Sequence, residues 1–203
     1  MPRLVTVARG GLIAFVGLVA LEHALRPRFS PADHFISEYA HGSTAPVQVI
    51  AFLAWAVATG ACAALAARAS RRRPVARAFA AVALGAATVG LLVAATFATQ
   101  TVGGELPSGV VRTTGGRLHD LGTLAILAGL LVAAVASLRL VPDRRYRLVV
   151  LALAVVLVAI VPIMVAAGLD APGVGQRGFI LVGCAWQWAF AGAMMGRGSV
   201  GAG

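Results

Sequence analysis

The sequence predicts an all-α, polytopic integral membrane bundle of six transmembrane helices, with a short amphipathic helix after the first span. Three observations predict it. Of 203 residues, 60% are hydrophobic and only 12% charged, with mean hydropathy +0.90, outside the balance of a soluble globular domain. Six apolar stretches, near 4–25, 46–67, 78–100, 118–138, 148–169 and 178–196, each approach the roughly 20 helical residues that cross a hydrocarbon core of about 30 Å. No stretch alternates as a strand does, and backbone in lipid must bond internally, which leaves helices. The whole chain, 1–203, reads as a single membrane domain.

The first stretch follows Arg3 and Arg9, as a secretory signal would. Leu21-Glu22-His23 offers no small-x-small cleavage pattern, however, so it reads as a retained first helix. The links between spans two and three and between four and five are short and Arg-rich, each with a proline (Pro74, Pro142), as suits antiparallel neighbours. They share that pattern without a matched repeat inside the helices. Pro162 predicts a kink in span five. Gly60, Ala63, Ala64, Gly85 and Gly90 predict close helix approach.

The net charge of +10 is carried by 17 arginines and no lysine. Arg68, Arg71, Arg72, Arg73 and Arg77 fill one link; Arg139, Arg144, Arg145 and Arg147 fill another; Arg3, Arg9 and Arg197 mark the ends. The positive-inside rule makes these segments cytoplasmic, so both termini face the cytoplasm of a multi-pass cell-membrane protein. Topology accounts for the basic balance, and a nucleic-acid partner is rejected.

Glu22, Asp33, Glu38, Glu105, Asp120 and Asp170, with His23, His34, His41 and His119, all fall toward the outer edge, so any chemistry is expected to face outward. Cys62 and Cys184 differ in depth by roughly 15 Å at about 1.5 Å per residue, too far for a disulfide, and read as unpaired core residues.

Residues 30–42, S-P-A-D-H-F-I-S-E-Y-A-H-G, read as the short helix: Ser30 as cap, Pro31 first, Asp33 as the capping-box acid and Gly42 as stop. At helical spacing His34, Ser37, Glu38 and His41 share one face; Phe35, Ile36 and Tyr39 share the other. Such a helix lies flat in the membrane interface or folds over the mouth of the bundle, and the pattern allows both.

The I-S-E-Y-A-H-G segment, the H-D-L-G opening of span four and the G-V-G-Q-R opening of span six resemble a prokaryotic membrane family called domain of unknown function 998. The resemblance covers most of the chain. It implies elements of the I-S-E/D-Y/L type after helix one, G-x-x-H at the start of helix four and Q-R near helix six, which fall on Ser37, Glu38, Tyr39, His119, Gln176 and Arg177. An F-P-T-D-like element is replaced here by Phe97-Ala98-Thr99-Gln100, without its proline and acid. The resemblance supplies no reaction.

Gln100 at the end of span three, His119 and Asp120 opening span four, Asp170 ending span five and Gln176 with Arg177 opening span six are expected at one depth beside Glu38. Glu38 paired with His119 suits acid-base work on a lipid or isoprenoid-like ligand, with Asp120 beside them and Ser37 a more distant candidate nucleophile. His34, Tyr39, His41, Gln100, Gln176, Arg177 and Gln187 are the candidate binding residues. A metal held by His34, Glu38 and His41, completed by His119 or Asp120, matches no established spacing, and no cofactor is expected. Arg177 either grips an anionic headgroup or pairs with Asp170 or Glu38. Gln187, between Trp186 and Trp188 in mid-span, reads as an interhelical hydrogen-bonder, or else lines a cavity bordered by the two indoles. Transport is disfavoured, since mid-membrane charge and paired broken helices are missing from the pattern. Two readings remain: an enzyme with an outward His/carboxylate site above an apolar cavity, or a non-enzymatic membrane subunit or lipid-binding sensor whose polar cluster braces the loops. Membrane lipid is the expected partner.

Overall fold

The structure, a computed structural model, describes residues 1–69, 72–166 and 171–195, with no side chains described at 157 and 160–166. Six long helices follow one another: α1 (Pro2–Leu25), α2 (Ala45–Ala67), α3 (Pro74–Thr96), α4 (Thr114–Leu140), α5 (Arg144–Ala166) and α6 (Pro172–Met195). A short 3-10 helix, Ile36–Ala40, lies between α1 and α2. The chain is all-α, and among the described residues five helices, all but α5, are long and apolar enough to cross a membrane. Their starts are chemically marked. Proline stands in the first turn of α1, α2 and α3, where its missing N–H costs nothing. The Thr113 hydroxyl caps α4 by accepting from Gly116 N at 3.2 Å, and Asp143 caps α5 by accepting from Arg145 N at 2.6 Å.

The helices α1 to α4 pack in sequence order, α2 is the most buried, and α6 closes against α1, α2 and α5. Backbones approach most closely where α3 crosses α4. A Cβ on Gly90 would stand 2.4 Å from the Gly122 carbonyl oxygen, and one on Gly129 would stand 2.5 Å from that of Ala83. Gly90 therefore does what its sequence suggested, while Gly85 faces open space. Buried polar side chains staple the helices: Gln187 accepts from Trp55 Nε1 at 2.9 Å and donates to Thr59 Oγ1 at 2.9 Å, joining α6 to α2 as expected of a mid-span glutamine. Trp186 Nε1 donates to the Tyr146 hydroxyl at 3.0 Å, which shares a 2.6 Å bond with Ser137, tying α6, α5 and α4. Cys62 and Cys184 are both free and buried.

Three expectations change. The helix between the first two spans is 3-10 and covers only Ile36–Ala40. Ser30 does accept from Ala32 N at 3.3 Å and Gly42 does take a left-handed φ of +78°, but the first turn stops at His34 because Phe35 is extended. It has no water face and lipid face either, since Ile36, Ser37, Glu38 and Tyr39 are all buried; the segment folds over α2 and α6. Finally, α3 ends at Thr96, so Gln100 lies in the following loop instead of closing the helix. The Pro162 side chain and Asp170 lie outside the described residues.

Replacing Gly90 by Leu is expected to force α3 from α4 and destabilise the bundle by about 1–3 kcal/mol, whereas Gly85→Ala is expected to be neutral or slightly stabilising. Thermal unfolding of the two variants in detergent checks the contrast.

Candidate functional site

The end of the bundle that carries the 3-10 helix is organised around one carboxylate. Glu38 is 2% exposed, so its charge needs donors. They come from both sides in the chain. His34 Nδ1 reaches Glu38 Oε2 at 2.7 Å, and the backbone N–H groups of Gly103 and Gly104 donate to Oε2 and Oε1, each at 3.0 Å. Thr101 Oγ1 adds a longer bond at 3.4 Å. The two glycines can aim their amides at one anion because both take left-handed φ, +62° and +83°, in the tight turn closed by the Val102–Glu105 bridge. A Cβ on Gly104 would also press on Phe35 at 3.2 Å.

The other candidates surround this anchor. Gln176 Oε1 accepts from Ile36 N at 2.7 Å, satisfying a donor at the start of the 3-10 helix. Arg177 Nη1 donates to the His34 carbonyl at 2.6 Å and to that of Gly173 at 3.1 Å, while its Nε and Nη2 face His23 Nε2 at 3.2 and 3.1 Å. His23 in turn donates from Nδ1 to Val19 O at 2.6 Å, so its Nε2 is the acceptor for the guanidinium. The fully buried Tyr39 donates its hydroxyl to Phe29 O at 3.1 Å and packs its ring against His23 and Phe29. Burial pushes its phenol upward from the usual range, against the opposing pull of Arg177, and the hydroxyl keeps its proton to donate. His41 Nε2 donates to Thr99 O at 2.7 Å, and His119 Nδ1 donates to Phe97 O at 2.6 Å, fixing the strand of loop that leaves α3.

The sequence placed these residues at one end correctly but paired them differently. Glu38 is matched with His34 and the Gly103–Gly104 turn, while His119 is matched with a carbonyl. Asp120 forms an ion pair with Arg112 on a half-exposed face. Gln100 accepts from Thr113 N at 2.7 Å and braces the entry to α4. Arg177 is occupied by carbonyls and His23, and among the described residues it forms no ion pair with Glu38. Ser37 is buried. Among the described residues no group of three or more His, Cys, Asp or Glu is arranged to hold a metal, so His34, Glu38 and His41 do not converge. His23 and the Gly103–Gly104 turn were missed; a Gly-Gly pair facing an acidic segment was the available signal.

The opposite end of the bundle is different. Because α4 meets α5 and α6 only slightly, a cavity of about 1160 Å³ opens between them. Its walls include Leu130, Val135, Leu138, Ala154 and Trp186, and Arg72, Arg73, Arg139 and Arg147 stand at one end. A second groove of about 690 Å³ adjoins it on the α3 side of α4 and shares Leu131, Val135, Arg72, Arg73 and Arg139. Sequence reasoning saw these arginines only as topological anchors.

Long apolar helices, buried interhelical staples and polar loops folded back over one end define a multi-pass membrane protein. The chain belongs to the family described as Protein of unknown function (DUF998), which matches residues 9–193. No curated protein and no solved structure matches it.

Glu38→Gln retains shape but turns one oxygen into a donor facing donors, and is expected to lower stability by about 1–3 kcal/mol. Asp120→Asn, which loses only a half-exposed ion pair, is expected to change it by no more than about 0.5 kcal/mol. Paired denaturation curves of the two variants test this ordering.

Proposed function

We propose that this protein is a non-enzymatic lipid-binding membrane protein whose ligand is an anionic diacyl phospholipid, held at the arginine end beside α4. The observation that carries the reading is the pair of adjoining apolar grooves along α4 that share one arginine cluster. The larger, at about 1160 Å³, exceeds the roughly 300–1,000 Å³ common for small-molecule pockets, which suits a chain-bearing ligand. Guanidinium groups bind phosphate through charge-assisted bonds, and among the described residues no carboxylate pairs with Arg73, Arg139 or Arg147. A phosphate on the shared arginines would direct one acyl chain into each groove. The positive-inside rule puts this end, with both termini, at the cytoplasmic leaflet, where basic pockets between helices bind anionic headgroups.

The polar cluster at the other end has less support as acid-base machinery. A general acid or base must present its proton or lone pair to a substrate. Glu38 takes its donors from His34 and the Gly103–Gly104 amides, and His34, His41 and His119 each commit one ring nitrogen to Glu38 or to a loop carbonyl. Their role in this reading is to brace the loops that close the bundle.

Mass spectrometry of lipids retained on the purified protein is expected to find an anionic phospholipid enriched over bulk membrane composition. The double variant Arg73→Gln, Arg139→Gln is expected to lose about 2 kcal/mol, roughly thirtyfold in affinity, at about 1 kcal/mol per arginine. Retained lipid that mirrors bulk composition, or equal retention by the double variant, contradicts the proposal. So does a specific molecule released by Glu38→Gln alone.

A further inference from the structure

One cluster of polar groups takes no part in either end described above. Glu22, three residues before the end of α1, is fully buried, as is Gln48 in the first turns of α2. Among the described residues, neither oxygen of the Glu22 carboxylate, neither polar atom of the Gln48 amide, nor the Thr44 hydroxyl has a well-formed hydrogen bond. The Thr44 hydroxyl and the Gln48 backbone N–H lie near enough to the carboxylate to act on it as weak donors, outside good hydrogen-bond geometry. Thr44 is the N-cap residue of α2, yet its hydroxyl does not cap the helix, so it remains available to something else.

Arg26 and His23 act on the Glu22 carboxylate through space, but neither forms an ion pair with it. Arg26 donates to Tyr39 O at 3.4 Å and lies over the rings of Phe29 and Tyr39, at 5.0 and 6.0 Å. His23 gives its proton to Val19 O and accepts from Arg177. Among the described residues, no ion pair reaches the Glu22 carboxylate. A buried carboxylate without an ion-pair partner or a well-formed hydrogen bond is expensive, and several unmatched polar atoms around it compound the cost.

We propose that Glu22, Thr44 and Gln48 form a binding site for a small monovalent alkali cation. The donor set is all oxygen: carboxylate, hydroxyl and amide carbonyl. Hard cations select such oxygens, and one carboxylate matches one positive charge. A proton on the carboxyl adds one donor, which serves one neighbouring oxygen, whereas a coordinated ion draws on the carboxylate, hydroxyl and amide oxygens together and leaves only the Gln48 Nε2 N–H to be accepted elsewhere. The ion joins the end of α1 to the start of α2 beside the loop that carries Glu38, and so couples ion occupancy to the closed position of that loop.

The test uses the whole purified protein in detergent, at fixed pH and fixed chloride. Thermal unfolding is compared in sodium chloride, in potassium chloride and in the chloride of N-methylglucamine, a cation too large to enter. A saturable rise on the order of 2–4 °C in at least one alkali salt is expected, absent in Glu22→Gln. Infrared difference spectra of wild type against Glu22→Gln read the carboxyl directly and do not depend on how well the variant folds under heat. An ionised carboxylate band for Glu22 in the stabilising salt is expected. Identical unfolding in all three salts, or a protonated carboxyl band in every one, overturns the proposal and assigns the space to a proton and water. Neither outcome bears on lipid retention at the arginine end.

Discussion

A carboxylate withdrawn from water beside a bilayer stays charged only if donors are brought to it, and Glu38 makes that demand on two loops that are far apart in sequence. The answer is the Gly103–Gly104 turn on one side and His34 on the other. Because two backbone amides serve the charge, the loop after α3 must fold back over the 3-10 helix, which in turn fixes where α4 begins. Gln176 and Arg177, one helical turn into α6, then hold the other edge of the same segment through Ile36 N and the His34 carbonyl. Each of these is a hydrogen bond to a charged or buried group, worth more than an exposed one and costly to leave unmade.

The two ends of the bundle therefore divide the chemistry. At the histidine end the polar side chains discussed above bond to loop backbone or to one another. At the other end arginines gather over apolar grooves left by the loose fit of α4 against α5 and α6. Glu22, Thr44 and Gln48 stand apart from both, with polar atoms that no well-formed hydrogen bond among the described residues satisfies.

Hydropathy made the helices legible, and the small-residue pattern identified Gly90 as a crossing point. Helix ends were less legible, because hydropathy runs on where the backbone does not: Phe97 and Ala98 are apolar enough to extend α3, yet Phe97 is extended and its carbonyl is held by His119. The family-like residues Glu38, Tyr39, His119, Gln176 and Arg177 were gathered correctly at one end. Their partners were not legible, since they lie at separations such as 65 residues for Glu38 with Gly103 and 140 for Gln176 with Ile36, and backbone amides and carbonyls leave no mark in a residue pattern. The amphipathic stripe at 34, 37, 38 and 41 misled for a related reason. Periodicity assumes one dry face and one wet face, and here Ser37 and Glu38 on one face are covered as fully as Ile36 and Tyr39 on the other. The grooves beside α4 depend on how far two helices stand apart, which hydropathy does not encode.

The central claim, that Glu38 organises this end by binding the Gly103–Gly104 turn, is tested most directly by site-resolved hydrogen exchange of those two amides in the intact protein. The account predicts slow exchange at Gly103 and Gly104 despite their position in a connecting loop, with selective acceleration there in Glu38→Gln. Fast exchange at both amides in the unmodified protein would contradict it.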